Sequence, residues 1–164
     1  MAIAAAVLAY ALSPNVRHAV SKVFHHHRQH APALTGQLLY GPRVTLSSLH
    51  GHGAVVVFWS QSCNGCSEQA PALAAFARAP AGRGHLVAVL YGGQRRTGER
   101  LIARYDWRFP NLRDPSGQLA RKFGLKDPRE LPVAFVLGPD GELLRTLRGP
   151  QTVASLTAAT QEES

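Results

Sequence analysis

Two cysteines, Cys63 and Cys66, stand two residues apart in the stretch FWSQSCNGCSEQAP, residues 58–71. Sulfur acts as nucleophile or metal ligand only as thiolate, and a free cysteine has a pKa of about 8.5. Three chemistries compete for such a pair: a metal half-site, a structural bridge, or a redox-active dithiol. A zinc site takes four ligands, commonly a second cysteine pair or two spaced histidines. No further cysteine exists, and the histidines lie in an amino-terminal linker or on the other side of a strand. A bridge closed over two residues restricts little of the unfolded chain, because the gain grows with loop length. A dithiol needs an attacking thiol at the first turn of a helix, where the dipole and unpaired N–H groups favour negative charge. It also needs a second thiol one turn further, to resolve the mixed disulfide. The spacing supplies both, with Cys63 attacking and Cys66 resolving. Asn64 and Gly65 between them are small enough to leave Cys63 open to a protein disulfide.

Those roles require a strand ending and a helix beginning at Cys63. The run AVVVFW, residues 54–59, is β-branched and aromatic without interruption, as suits a strand buried on both faces. After the cysteines, Ala70, Leu73, Ala74 and Ala77 recur at helical spacing. HLVAVLY at 85–91 reads as a second buried strand. Leu101, Ile102 and Tyr105 mark a second helix, and Leu119, Ala120 and Phe123 a third. VAFVL and ELLRTL flank GPDG, a hairpin signal, and Pro150 opens a last helix carrying Val153 and Leu156. Near the amino end, GQLLYGPRVTLSSL reads as two short strands around Gly41-Pro42, a hairpin followed by a helical turn. The order implies an α/β fold: a central mixed sheet flanked by helices, with this extra amino-terminal β-hairpin.

At 164 residues, 45% of them apolar, the chain fits one domain with a core that needs no covalent staple. Lysine and arginine number 18 against 10 acidic residues, a net charge of +8. The arginines are scattered, without an aromatic-rich RNA motif or zinc-finger spacing, so the charge reads as a solvated basic surface and not as a nucleic-acid site. MAIAAAVLAYAL is apolar for 12 residues, short of the ~20 that span a membrane. It resembles the apolar region of an export signal without a preceding positive charge, and the expectation is a signal or anchor remnant. HHHRQHAPALT, residues 25–35, reads as a linker whose histidines, His25 to His30, are solvated. The expected division is therefore 1–33 for the apolar segment and linker, and 34–164 for the domain.

The segment VVVFWSQSCNGCSEQAP, with Pro71 five residues after the second cysteine, resembles the active-site segment of the thioredoxin superfamily. FPNLRDPSGQLARKFGL and LPVAFVLGPDGELLRTLRG extend the likeness to the TlpA/ResA branch of exported, often membrane-tethered thiol–disulfide oxidoreductases, and to redoxins of MauD type. The likeness runs from about Leu34 to Ala159. It implies a thioredoxin-like fold and no cofactor beyond a redox-active Cys63–Cys66 disulfide. Pro132 matches the family's cis-proline, which lies beside the cysteines and receives the client strand. Leu131 would contribute its backbone there, and Trp59, Asn64 and Gly65 would complete the client contact. Thioredoxins also carry a buried Asp six residues before the first cysteine, where this chain has Val57. The proton acceptor for Cys66 is left unidentified.

The expected function is thiol–disulfide exchange with client proteins that carry cysteines or disulfides. The branch implies a membrane or soluble redox partner, an extracytoplasmic monomer, and a setting such as cytochrome c biogenesis. A cytoplasmic location is the alternative. The rival function is a copper-binding chaperone on the same fold, although copper-delivering relatives usually show C-x-x-x-C and a later histidine. No histidine follows His85 here. Peroxiredoxins carry P-x-x-x-T-x-x-C, and Val56 and Ser60 occupy those two positions.

Overall fold

The structure is a computed structural model that describes residues 29–161, apart from Leu46 and His52. Most of the amino-terminal apolar segment and linker, His25 to His27 included, falls outside the described residues. Six strands form one sheet: β1 Gln37–Tyr40, β2 Ala54–Trp59, β3 Leu86–Tyr91, β4 Asn111–Asp114, β5 Val133–Leu137 and β6 Leu143–Arg148. Four α-helices connect or cover them: α1 Asn64–Arg78, α2 Arg95–Arg104, α3 Gln118–Lys122 and α4 Val153–Gln161. The strand order is β1-β4-β3-β2-β5-β6. β2 runs parallel to β3, and β3 to β4, while β5 lies antiparallel to both β2 and β6. All six residues of β2 are buried, which is why the unbroken apolar run belongs in the middle of the sheet.

Successive side chains of a strand point to opposite faces. The last two residues of β2 therefore anchor both layers. Phe58 packs with Phe123 and Phe135, ring centroids 5.1 and 5.7 Å away. Trp59 meets Trp107 edge-on at 5.0 Å, and Trp107 stacks in turn on Phe109. The indole N–H of Trp107 donates to the Ala70 carbonyl at 3.0 Å and so ties α1 to this aromatic row. Helix α4 packs on α1 and β2. Its first turn is capped by Thr152 and Ser155, whose hydroxyls accept each other's backbone N–H. That exchange places the helix start three residues after Pro150.

Among the described residues the expected amino-terminal β-hairpin is not formed. β1 pairs instead with β4, Leu38 opposite Leu112. Beyond it, Gly41 turns with φ +82°, close against the backbone of Phe109 and Pro110. Pro42 has no N–H for a ladder. Thr45 and Ser48 then exchange backbone-to-hydroxyl bonds at the start of a 3-10 turn, Ser47–Leu49. Local capping thus outcompetes a second strand.

The chain enters the fold at the other end of β2 from the cysteines. His30 bridges Glu142, the Ala31 N–H reaches the Gly141 carbonyl, and the Leu143 N–H reaches that of Gln29.

Trp107→Phe keeps a ring in the row but removes the donor to Ala70. Unfolding in urea should show a loss of about 1–3 kcal/mol with the denaturant slope unchanged. A variant as stable as the parent would show that this bond does not hold α1 in place.

Candidate active site

Cys63 is the N-cap of α1, with extended backbone at φ −93° and ψ 110°. Its sulfur accepts the Cys66 N–H at 3.1 Å, and its carbonyl accepts the N–H groups of Cys66 and Ser67. Serine or aspartate commonly caps in this way. Here a sulfur does so, and any charge on it is met by a backbone N–H and the positive end of a 15-residue helix. The two sulfurs are joined as a disulfide, with the Cα atoms 5.2 Å apart. Cys63 is half-buried, Cys66 is 4% exposed, and Asn64 is exposed. The outer sulfur is thus the one a second protein can reach.

The Leu131–Pro132 peptide is cis. A Cβ placed on Gly65 would stand 3.1 Å from Pro132 Cδ and 3.0 Å from Pro150 Cγ. A side chain there would crowd two prolines that close on the dipeptide between the cysteines, each of which would have to give by a few tenths of an ångström. The Pro132 carbonyl accepts the Gly149 N–H at 2.9 Å, which joins the β5 start to the β6 end. The Leu131 N–H is taken by the Pro128 carbonyl at 3.2 Å.

A 3-10 turn, Pro128–Glu130, delivers the chain into this cis peptide. Asp127 caps it through the Arg129 N–H, and the Glu130 carboxylate accepts the N–H groups of Lys126 and Asp127. Hydrogen bonds from the Arg129 side chain and backbone hold the Asp127 carboxyl down to about 2. The Lys126 and Asp127 N–H groups, with Arg148 beside them, lower Glu130 as well.

The structure gathers Cys63, Gly65, Cys66 and Pro132 into one cluster. Trp59 does not join them as a client-facing ring. It is 2% exposed and packed on Trp107, so it floors the site from below. Val57 is 1% exposed within β2, and Asp114, the carboxylate buried at the end of β4, accepts the Ala120 N–H at 2.8 Å. Gln69 and Gln151 went unnoticed in the sequence, and Pro150 was read only as the opening of the last helix. Gln69 is 2% exposed, one turn beyond Cys66 on the buried face of α1, and its side-chain oxygen accepts the Gln151 N–H at 3.1 Å. A glutamine three residues after the second cysteine of an apolar-faced helix was the available signal. Among the described residues, no three of His, Cys, Asp or Glu converge as metal ligands.

Both carboxyls of the Pro128–Glu130 turn titrate below their usual range, so their bonds are complete above that range and are lost only as pH falls through the depressed values. Amide exchange at Lys126 and Arg129 should therefore remain protected past about pH 4, where an ordinary carboxyl is half protonated. Loss of protection between about pH 5 and pH 4 would show that the turn does not hold these groups ionised.

Solved structures share this arrangement of elements, and curated sequences resemble the chain. The chain is 24% identical over 127 residues to the thiol-disulfide oxidoreductase ResA of Bacillus thuringiensis subsp. konkukian, across 77% of this chain and 72% of that one. The crystal structure of a thiol:disulfide interchange protein of the thioredoxin family from Chlorobium tepidum superposes with TM-score 0.72 at 21% identity, covering 83% of this chain and 96% of that one. A secreted thiol-disulfide isomerase from Corynebacterium glutamicum gives 0.73 at 16% identity, over 84% and 87% of the two chains. The fold is thus thioredoxin-like. The AhpC/TSA family model matches residues 27–145, most of the chain and the whole of the cysteine site; the chain belongs to the AhpC/TSA family.

Proposed function

We propose that the protein is a thiol–disulfide oxidoreductase that exchanges disulfides with client proteins through Cys63 and Cys66. One observation carries this reading: a half-exposed sulfur at a helix N-cap, bonded to a buried sulfur one turn inward. In the reducing direction, the Cys63 thiolate attacks a client disulfide. A Cys63–client bond forms, and one client sulfur leaves as thiolate and takes up a proton. Cys66, deprotonated, then attacks the Cys63 sulfur and releases the second client thiol. The client gains two electrons, and the protein is left with the Cys63–Cys66 disulfide. A membrane or soluble redox partner restores the dithiol, and the reverse sequence inserts disulfides. Leu131 and Pro132 border the client strand, with Asn64 and Gly65 at its contact with the cysteines. Peroxide reduction is the less fitting chemistry, since Val56 is fully buried in β2 and Ser60 stands where a threonine would serve.

The protein is proposed to work outside the cytoplasm, in keeping with a secreted relative of the same fold and with the apolar run at residues 1–12. Among the described residues no helix is long and apolar enough to cross a membrane.

Cys66→Ser should accumulate mixed disulfides with clients, because attack proceeds and resolution cannot. Cys63→Ser should accumulate none. Trapping through Cys66 alone would reverse the two roles.

Cys66 must lose a proton before it attacks, yet Val57 is apolar and the Gln69 amide accepts none. Gln69→Glu puts a carboxylate one turn from Cys66, where burial raises its pKa toward neutrality. Mixed-disulfide resolution near neutral pH should quicken by about tenfold or more in a quenched time course. An unchanged rate would show that proton loss from Cys66 is not what slows release.

A further inference from the structure

Helix α2, RRTGERLIAR, carries four arginines and one carboxylate. Its buried residues are Gly98 and Ile102. Arg95 turns toward β1, donating to Glu99 at 3.0 Å and to the Leu38 carbonyl at 3.1 Å. The other three, Arg96, Arg100 and Arg104, recur every four residues and are all exposed. They form a row along the outer face, each about 6 Å beyond the last. None of the three has a carboxylate partner among the described residues. Arg100 donates to the Thr97 hydroxyl, and Arg104 lies over the Tyr105 ring. The acids nearby are already taken, Glu99 by Arg95 and Asp106 by Arg108 and Arg78. Like charges one turn apart weaken a helix, so the row works against the element that carries it.

The row begins beside the sulfurs. Gln61, two residues before Cys63, donates its side-chain N–H to the Gln94 carbonyl at 2.7 Å. Its carboxamide also packs on Gly93, where an added Cβ would stand 2.9 Å away. Arg113 holds the same loop from β4, donating to the Gly93 carbonyl at 3.0 Å. Gln94 is the N-cap of α2, so Arg96 follows the loop anchored to the cysteine turn. Arg104 lies about 12 Å further along the axis.

We propose that the outer face of α2 docks an acidic, extended segment of a client protein next to the client's disulfide, through Arg96, Arg100 and Arg104. The proposal rests on the exchange reading above and names the chemistry of the clients it favours. Alternate side chains of an extended chain point the same way roughly 6.6 Å apart, close to the repeat of the row. Carboxylates at every second position therefore meet one guanidinium each, whose planar fork receives both oxygens. Such exposed pairs steer the encounter and set its register more than they add affinity. The acidic run lies along α2, and the disulfide beside it reaches Cys63 at the head of the row. A small neutral disulfide takes no part in this docking and reacts at Cys63 regardless of it.

The test uses the reduced full chain and two peptides, each with an internal disulfide and a fluorophore–quencher pair. One continues into an Asp-Ser repeat and the other into a Gln-Ser repeat, and hydroxyethyl disulfide serves as a probe without a flank. At low salt the second-order rate with the acidic peptide should exceed that with the neutral one by about tenfold. In about 1 M salt, where the screening length is ~3 Å, the two should react alike. Combining Arg96→Gln, Arg100→Gln and Arg104→Gln should abolish the preference and leave the neutral peptide and hydroxyethyl disulfide at parental rates. The three positions are exposed and their repulsion is relieved, so the variant should fold as the parent does. Removing as many charges elsewhere, with Arg83→Gln, Arg121→Gln and Lys122→Gln, should retain the preference. A preference that survives in the α2 variant, or that falls as far in the second variant as in the first, would overturn the proposal. Equal low-salt rates for the two peptides would overturn it too, and α2-dependent capture of the parent by phosphatidylglycerol vesicles would then give the face to a lipid surface. A parent protein inert toward all three probes would instead defeat the exchange reading.

Discussion

The bond from the Cys66 N–H to the Cys63 sulfur sets the terms for the rest of the molecule. It exists only if a helix begins at residue 64, and a helix beginning there leaves its first N–H groups without partners inside the helix. A sulfur in the N-cap position answers that need and at the same time becomes the atom best able to carry negative charge. Everything upstream follows from placing this cap at a surface. β2 must end four residues earlier, deep in the sheet, so that the chain climbs out of the core as it reaches Cys63. Everything downstream follows from keeping α1 still, which the Trp107 bond to Ala70 and the packing of α4 accomplish.

Two prolines from distant parts of the chain meet at one glycine. Pro132 opens β5 and Pro150 follows β6, and the Gly149 N–H bound to the Pro132 carbonyl makes the two loops one unit. The carboxylates of the Pro128–Glu130 turn fix the approach to the first proline, and the Gln69–Gln151 bond fixes the departure from the second. Asp127 and Glu130 do this from the surface, each with an arginine at hand, Arg129 and Arg148. Gln69 does it from the interior with a neutral amide, which avoids burying a charge.

Elements with a strong local signal were legible in the sequence. The six-residue run of β2 is all buried, the helix after the cysteines starts at Asn64, and GPDG forms the β5–β6 hairpin through the Gly138 N–H and the Glu142 carbonyl. The helix N-cap position of Cys63 and the inward place of Cys66 were readable because strand and helix signals meet at that spacing. The failures have a common cause, in that each depended on a partner far along the chain. Residues 37–45 look like a hairpin until the free edge of β4 competes for β1. Trp59 looks like a client contact because it precedes the cysteines, yet Trp107, distant in sequence, holds its ring inside. Gln69 looks like one more polar residue on a helix until the start of α4 arrives against it.

The bridge between His30 and Glu142 fixes where the amino-terminal chain joins the body. β5 meets β6 there at Leu137 and Leu143, the end of the sheet that holds Ala54, whereas Val133 and Phe58 lie at the end nearest the sulfurs. With six residues of strand between, the two poles are roughly 20 Å apart. The described chain therefore begins at the pole opposite the dithiol, and the peptide bond ahead of Gln29 and the exchanging sulfur lie at opposite ends of the same sheet.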